Sequence, residues 1–131
     1  MTTLTRRPLL ALRPALRLDA WSTGIFGLTL LTTAPLLRDP LGIPTAVSML
    51  FGLGMLGGAA ALALIATRPT IPAPLATGVA SVNALSGVGM IALADIDLLP
   101  LTIWGRAFLA IGALVVFVFA TLEYTARHHA E

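Results

Sequence analysis

Four long apolar segments, Ala20–Leu37, Thr45–Thr67, Leu75–Ala94 and Ala107–Leu122, fill most of this 131-residue chain, and none holds a charged residue. A helix needs about 20 residues to cross about 30 Å of hydrocarbon. Each segment is close to that length. The pattern predicts an all-α membrane protein, a bundle of four transmembrane helices with a short basic amphipathic segment ahead of it.

Composition supports that reading. Hydrophobic residues make up 57% of the chain and charged residues 11%, against about 25% charged in a soluble domain. The mean hydropathy is +0.94. Four spans and short connectors leave no room for a second domain. There is no Cys, which excludes disulfides, a thiolate nucleophile and Cys-based metal sites. All eight basic residues are Arg, and Gln is also absent. With abundant Ala, Leu, Gly and Pro, this usage points to a GC-rich bacterial genome. The high isoelectric point, about 10.5, does not imply nucleic-acid binding. Net charge is only +2, and the Arg residues gather at one end. A basic end on a membrane protein reports orientation or contact with anionic lipid. The expected partners are the bilayer, anionic lipid at the N-terminal Arg cluster, and a second copy or another membrane protein.

Along the chain, residues 1–18 place Arg6, Arg13 and Arg17 on one side of a helical wheel and Leu4, Leu12, Leu16 and Leu18 on the other. This predicts a short interfacial helix, with Pro8 or Pro14 in its first turn, leading into the first span. Thr5-Arg6-Arg7-Pro8-Leu9-Leu10 resembles a twin-arginine signal. Arg13, Arg17 and Asp19 then interrupt the hydrophobic region, so the first helix is expected to stay uncleaved. The bundle is expected over 19–127, with helices at about 19–37, 45–67, 75–94 and 101–124, and a polar tail over 128–131. Charge, Pro and Gly mark the connectors. Trp104 and Tyr124 are spaced by ~30 Å along the fourth helix, which suits aromatic anchors at two interfaces. With the N-terminus inside, Arg6, Arg7, Arg13, Arg17, Arg68 and Arg127 are cytoplasmic, and Arg38 and Arg106 are outside. That asymmetry predicts both termini in the cytoplasm.

Helices in lipid associate through small residues and polar contacts. Helix 3 carries Ala76, Ala80, Asn83, Gly87, Met90 and Ala94 on one stripe. Helix 1 carries Asp19, Thr23, Gly27, Leu30 and Ala34. Helix 2 offers Gly54, Gly58 and Ala61, and helix 4 offers Arg106, Ala110, Ala113, Phe117 and Ala120. Asn83, the only Asn, needs hydrogen-bond partners in hydrocarbon. An interhelical bond there is worth ~0.6–2 kcal/mol; a ligand contact is the alternative. Asp19 is expected to open helix 1 and Glu123 to close helix 4 at the same depth. Arg17 and Arg127 are their expected partners, with Glu123 reaching Arg127 at i,i+4. A polar cluster of these groups would bind a head group or relay a proton. Arg106 is expected to pair with Asp95 or Asp97. His128 and His129 are adjacent and make a poor bidentate site. No catalytic constellation, metal site or cofactor motif is visible.

Leu16-Arg17-Leu18-Asp19-Ala20, Thr23-Gly24, Asn83 and Leu122-Glu123-Tyr124 resemble an uncharacterised family of small four-span bacterial integral membrane proteins, from about Ala15 onward. DoxX-like proteins share the size and span count. The resemblance implies a fold and no activity. Small multidrug transporters also have four spans, but their essential Glu lies inside the first helix, where this chain has none. The leading expectation is a non-enzymatic inner-membrane bundle acting by binding or assembly, as an accessory subunit or lipid-associated protein. The alternative is a small oligomeric transporter or channel using Asn83 and the Asp19/Glu123 cluster. Transport calls for a polar cavity reaching Asn83; packing calls for Asn83 sealed between helices.

Overall fold

The structure is a computed structural model that describes residues 8–129. Leu4, Arg6, Arg7 and the last two residues of the polar tail lie outside the described residues. Four helices follow one another: α1 (Leu12–Leu41), α2 (Thr45–Ala66), α3 (Ala73–Asp95) and α4 (Ile103–Thr125). All four are long and apolar enough to cross a membrane. Their outward surfaces carry large apolar side chains, among them Trp21, Leu36, Leu50, Leu85 and Ile103. Such a surface would be a liability in water and matches hydrocarbon. The chain is a multi-pass, all-α membrane protein.

The first helix is longer than its uncharged run. It starts at Leu12, with Pro14 in its first turn, and continues through Pro35 and Pro40 to Leu41. The expected boundary at Asp19 and the break from Arg38 are therefore corrected. Residues 12–18 run directly into the span as the first turns of α1, where Leu12 and Leu16 are fully buried in a cluster with Leu62, Ala66, Ile71, Ala76 and Ala126. Burying two Leu side chains outweighs the charge that marks the sequence there. Arg13 has a structural task as well: its guanidinium donates to the carbonyls of Ala66 and Arg68, at the end of α2. Those carbonyls have no partner within their own helix. At the other end, Gly42 stops α1 in the left-handed region, with φ 71°.

The bundle consists of two antiparallel hairpins, α1–α2 and α3–α4, joined chiefly where α1 meets α4. Main-chain bonds fix that junction at both ends. At the end that holds the termini, Leu12 N–H donates to the His129 carbonyl at 2.7 Å. At the far end, Thr102 N–H donates to the Leu41 carbonyl at 3.1 Å. The Thr102 hydroxyl donates to the Pro40 carbonyl at 2.7 Å and accepts from Gly105 N–H at 3.1 Å. One threonine thus caps the start of α4 and satisfies the end of α1.

The inward stripes expected for α1 and α3 hold. Asp19, Gly27, Leu30 and Ala34 are buried on α1, and Ala76, Ala80 and Gly87 on α3. On α4, Ala113 and Ala120 are buried while Ala110 is exposed. The expected face of α2 is corrected. Gly54, Gly58 and Ala61 point outward, and Gly54, Gly57 and Gly58 have open space around them. The inward face is instead Ser48, Gly52, Leu62 and Ala66. Small residues occur on both sides of α2, so spacing alone does not choose between them. The choice is made by Gly27, whose backbone fits against Gly52. A methyl group on Gly52 would lie 2.7 Å from the Gly27 carbonyl oxygen. Replacing Gly52 by Ala therefore forces α1 and α2 apart and should cost ~1–3 kcal/mol. Gly57→Ala, in open space, should leave stability unchanged or raise it. Thermal unfolding of the two variants in detergent compares them directly.

Candidate functional site

Asp19, Asn83 and Glu123 come from three different helices and meet in one cluster. Asp19 lies about two turns inside α1, because the helix begins at Leu12. Asn83 sits on the buried stripe of α3, between Ala80 and Gly87. Glu123 faces inward in the last turn of α4. Asp19 is 1% exposed and Glu123 0%. Both side chains are sealed inside the bundle, near the end that holds the termini.

The hydrogen bonding is closely specified. Asn83 Nδ2 donates to Asp19 Oδ2 at 2.8 Å and to Glu123 Oε1 at 2.6 Å. A primary amide carries two N–H donors, so one nitrogen supplies a hydrogen to each carboxyl group. The Thr23 hydroxyl, one turn along α1, donates to Asp19 Oδ1 at 2.9 Å. Three of the four carboxyl oxygens thus have donors. The fourth, Glu123 Oε2, is buried with no hydrogen-bond partner. A buried acceptor left without a donor loses its hydration without compensation.

The arginine partners expected for the two acids are corrected. Among the described residues, neither carboxyl group makes an ion pair; the ion pair present is Arg106 Nη2 to Asp97 Oδ1, at 3.0 Å. Arg127 donates to the Tyr124 carbonyl at 2.7 Å, with its guanidinium 4.0 Å from the Tyr124 ring centre. At i,i+4 it could have reached Glu123, but Glu123 faces inward while Arg127 stays near the surface of the bundle end. Arg17 is exposed. The two acids face the bundle interior and take Asn and Thr donors there, whereas Arg17 points outward and Arg127 lies beyond the end of α4 at Thr125.

Arg106 behaves as expected. It bonds Asp97 and also donates to the Ala94 carbonyl, the latter near the end of α3. Asp97 is 92% exposed, so the pair belongs to the surface of the far end and is separate from the Asp19–Asn83–Glu123 cluster. His128 and His129 do not join the cluster either; the His129 carbonyl serves Leu12. Among the described residues, no group of three metal-ligating side chains is suited to a metal ion.

Asn83 bonds across to α1 and α4, as the sequence predicts for an inward interhelical contact, whereas Asp19 and Glu123 take this amide in place of the arginine or backbone-amide partners expected. Thr23 appeared only as a small residue on the α1 stripe. Its signal is the Asp19-to-Thr23 spacing of four, which places both on one helix face. Two prominent grooves lie elsewhere. One is at the far end beside Arg38, Gly42 and Thr102. The other lies between α1 and α2 beside Trp21, Gly24 and Ala59. Neither is lined by a member of the cluster.

Removing the shared donor exposes its structural share. Asn83→Leu leaves Asp19 and Glu123 facing each other without the amide, and should lower stability in detergent by ~1–3 kcal/mol. Thermal or denaturant unfolding measures this, and an unchanged midpoint would show that the amide contributes nothing to packing. Comparison with known proteins finds no matching family model, no similar curated protein and no similar solved structure.

Proposed function

We propose that the protein is a bacterial inner-membrane bundle, with both termini cytoplasmic, that works by binding or assembly within the bilayer and not by catalysis. The observation that carries this reading is the convergence of Asp19, Asn83 and Glu123 from three helices, with one carboxyl oxygen left without a donor. Ionisable groups inside a span are costly and mark functional positions by default. The open face of α2 at Gly54, Gly57 and Gly58 supports assembly, since such a face admits close approach of another helix in lipid. The N-terminal Arg residues support contact with anionic lipid. An accessory subunit or a lipid-associated protein has this combination of features.

Two experiments test the reading. Cysteines introduced singly at positions 2 and 131, in a chain that has none of its own, should be shielded from a membrane-impermeant thiol reagent in intact cells and react after permeabilisation. Reaction of either one in intact, energised cells would overturn the topology. Wild-type protein purified from its native membrane should retain lipids or membrane-protein partners that the Glu123→Gln and Gly54→Leu/Gly58→Leu variants lack. If all three forms carry the same associated molecules, neither the cluster nor the α2 face is a binding element.

The second reading is a small oligomeric transporter or channel using the same three residues. The unpartnered Glu123 Oε2 favours it. Neither groove is lined by a member of the cluster, and this reading requires a polar path that reaches it. Flux of small ions into proteoliposomes, abolished by Glu123→Gln, is the outcome this reading requires.

A further inference from the structure

We propose that Asp19, Asn83 and Glu123 form a proton-binding site in which the two carboxyl groups hold one proton between them. The inference concerns what occupies the cluster, and it stands whether the chain assembles with a partner or transports a solute.

The donor arithmetic leads to it. Four carboxyl oxygens converge, and the neighbouring side chains offer three hydrogens: two from Asn83 Nδ2 and one from Thr23 Oγ1. Glu123 Oε2 is the oxygen left over, on a residue with no exposed surface. A single proton supplies the missing hydrogen as an O–H. It also removes one of two like charges held within two hydrogen-bond lengths of each other, because both accept from the same nitrogen. Proton binding needs no additional room. The balance is simple: the carboxyl pair gains or loses H⁺, no other bond changes, and no electron moves. A bound metal cation fits this geometry less well. Asn83 turns its amino group, a donor, toward the carboxyl oxygens, whereas a cation is held by oxygen atoms.

Among the described residues, no charged side chain, His128 and His129 included, bonds either carboxyl group in place of the proton. α2 contains no titratable residue, and the one on α3 is Asp95, the exposed last residue of that helix. On α4, Arg106 is engaged with Asp97 and Ala94 at the far end. Tyr124 carries the Arg127 guanidinium on its ring. On α1, Arg13 bonds the carbonyls of Ala66 and Arg68, Arg17 is exposed, and Arg38 and Asp39 stand at the opposite end of the helix. Asp19 belongs to one hairpin and Glu123 to the other, so the proton bridges the seam between them. Its release leaves two like charges across that seam.

The chain makes a direct test practical, because its only glutamates are Glu123 and Glu131. Glu131→Gln protein, labelled with ¹³C at the glutamate carboxyl carbon and placed in lipid bilayers, gives one resonance, that of Glu123. We expect it to titrate, and the midpoint to move to lower pH in an added Asp19→Asn background, where the second carboxyl group is gone. Asp19→Asn keeps the side-chain volume, and its circular dichroism checks that the helices persist. The wild-type titration does not depend on that variant folding. A Glu123 resonance that reports full ionisation at every accessible pH, or a midpoint that Asp19→Asn leaves in place, overturns the shared proton. So does one sodium ion per chain that survives dialysis and disappears in Asp19→Asn.

Discussion

Asn83 gives one amide hydrogen to a carboxyl group on α1 and the other to a carboxyl group on α4. Inside hydrocarbon there is no water to take over either bond, so the partners must be brought by the protein itself. That requirement fixes much of the arrangement. It sets the rotation of α3 about its axis, which in turn lays Ala76, Ala80 and Gly87 against the rest of the bundle. It sets the depth of α1 relative to α4. It also places two carboxyl groups where apolar side chains would have packed at lower cost, which is why the cluster reads as more than a packing device.

The other determinant is close backbone approach. Gly27 and Gly52 let α1 and α2 touch, and Gly87 accepts the Phe117 ring, where a methyl group would sit 2.6 Å from the ring carbon. These contacts act within hairpins. Between hairpins the structure has the two main-chain clamps, at Leu12–His129 and at Thr102–Leu41, the Asp19–Asn83–Glu123 cluster, and apolar packing of Leu12, Leu16 and Ala66 with Ala76 and Ala126. The seam therefore holds a polar cluster beside an apolar one, and the polar part depends on the chemical state of the groups within it.

The sequence makes legible what depends on periodicity and loses what depends on competition. Four spans and the stripes on α1 and α3 follow from the spacing of apolar and small residues. So does the inward placement of Asn83, which is the polar member of an otherwise small-residue row. The Arg106–Asp97 pair follows from a short turn. The start of α1 does not, since Arg13, Arg17 and Asp19 look like the edge of a span until Leu12 and Leu16 are known to be buried. The inward face of α2 does not, because Gly52 and Gly54 are equally small and only Gly27 across the interface distinguishes them. The partners of Asp19 and Glu123 were hidden for a related reason. A nearby arginine in sequence is an available partner only if it lies at the same depth and on the same side.

The order in which the chain is made gives the cluster another consequence. Of the four helices, the one with Asp19 is made before the others; its amide partner comes 64 residues later and Glu123 another 40 after that. The α1–α2 hairpin closes early around its glycines, yet it carries a carboxyl group whose acceptor needs are met in part by Thr23 alone. Until α3 and α4 are in place, that hairpin carries a carboxyl group without its amide donor. The second carboxyl group comes only with the last turn of α4, so a chain cut before Glu123 lacks one of the three groups that the cluster joins.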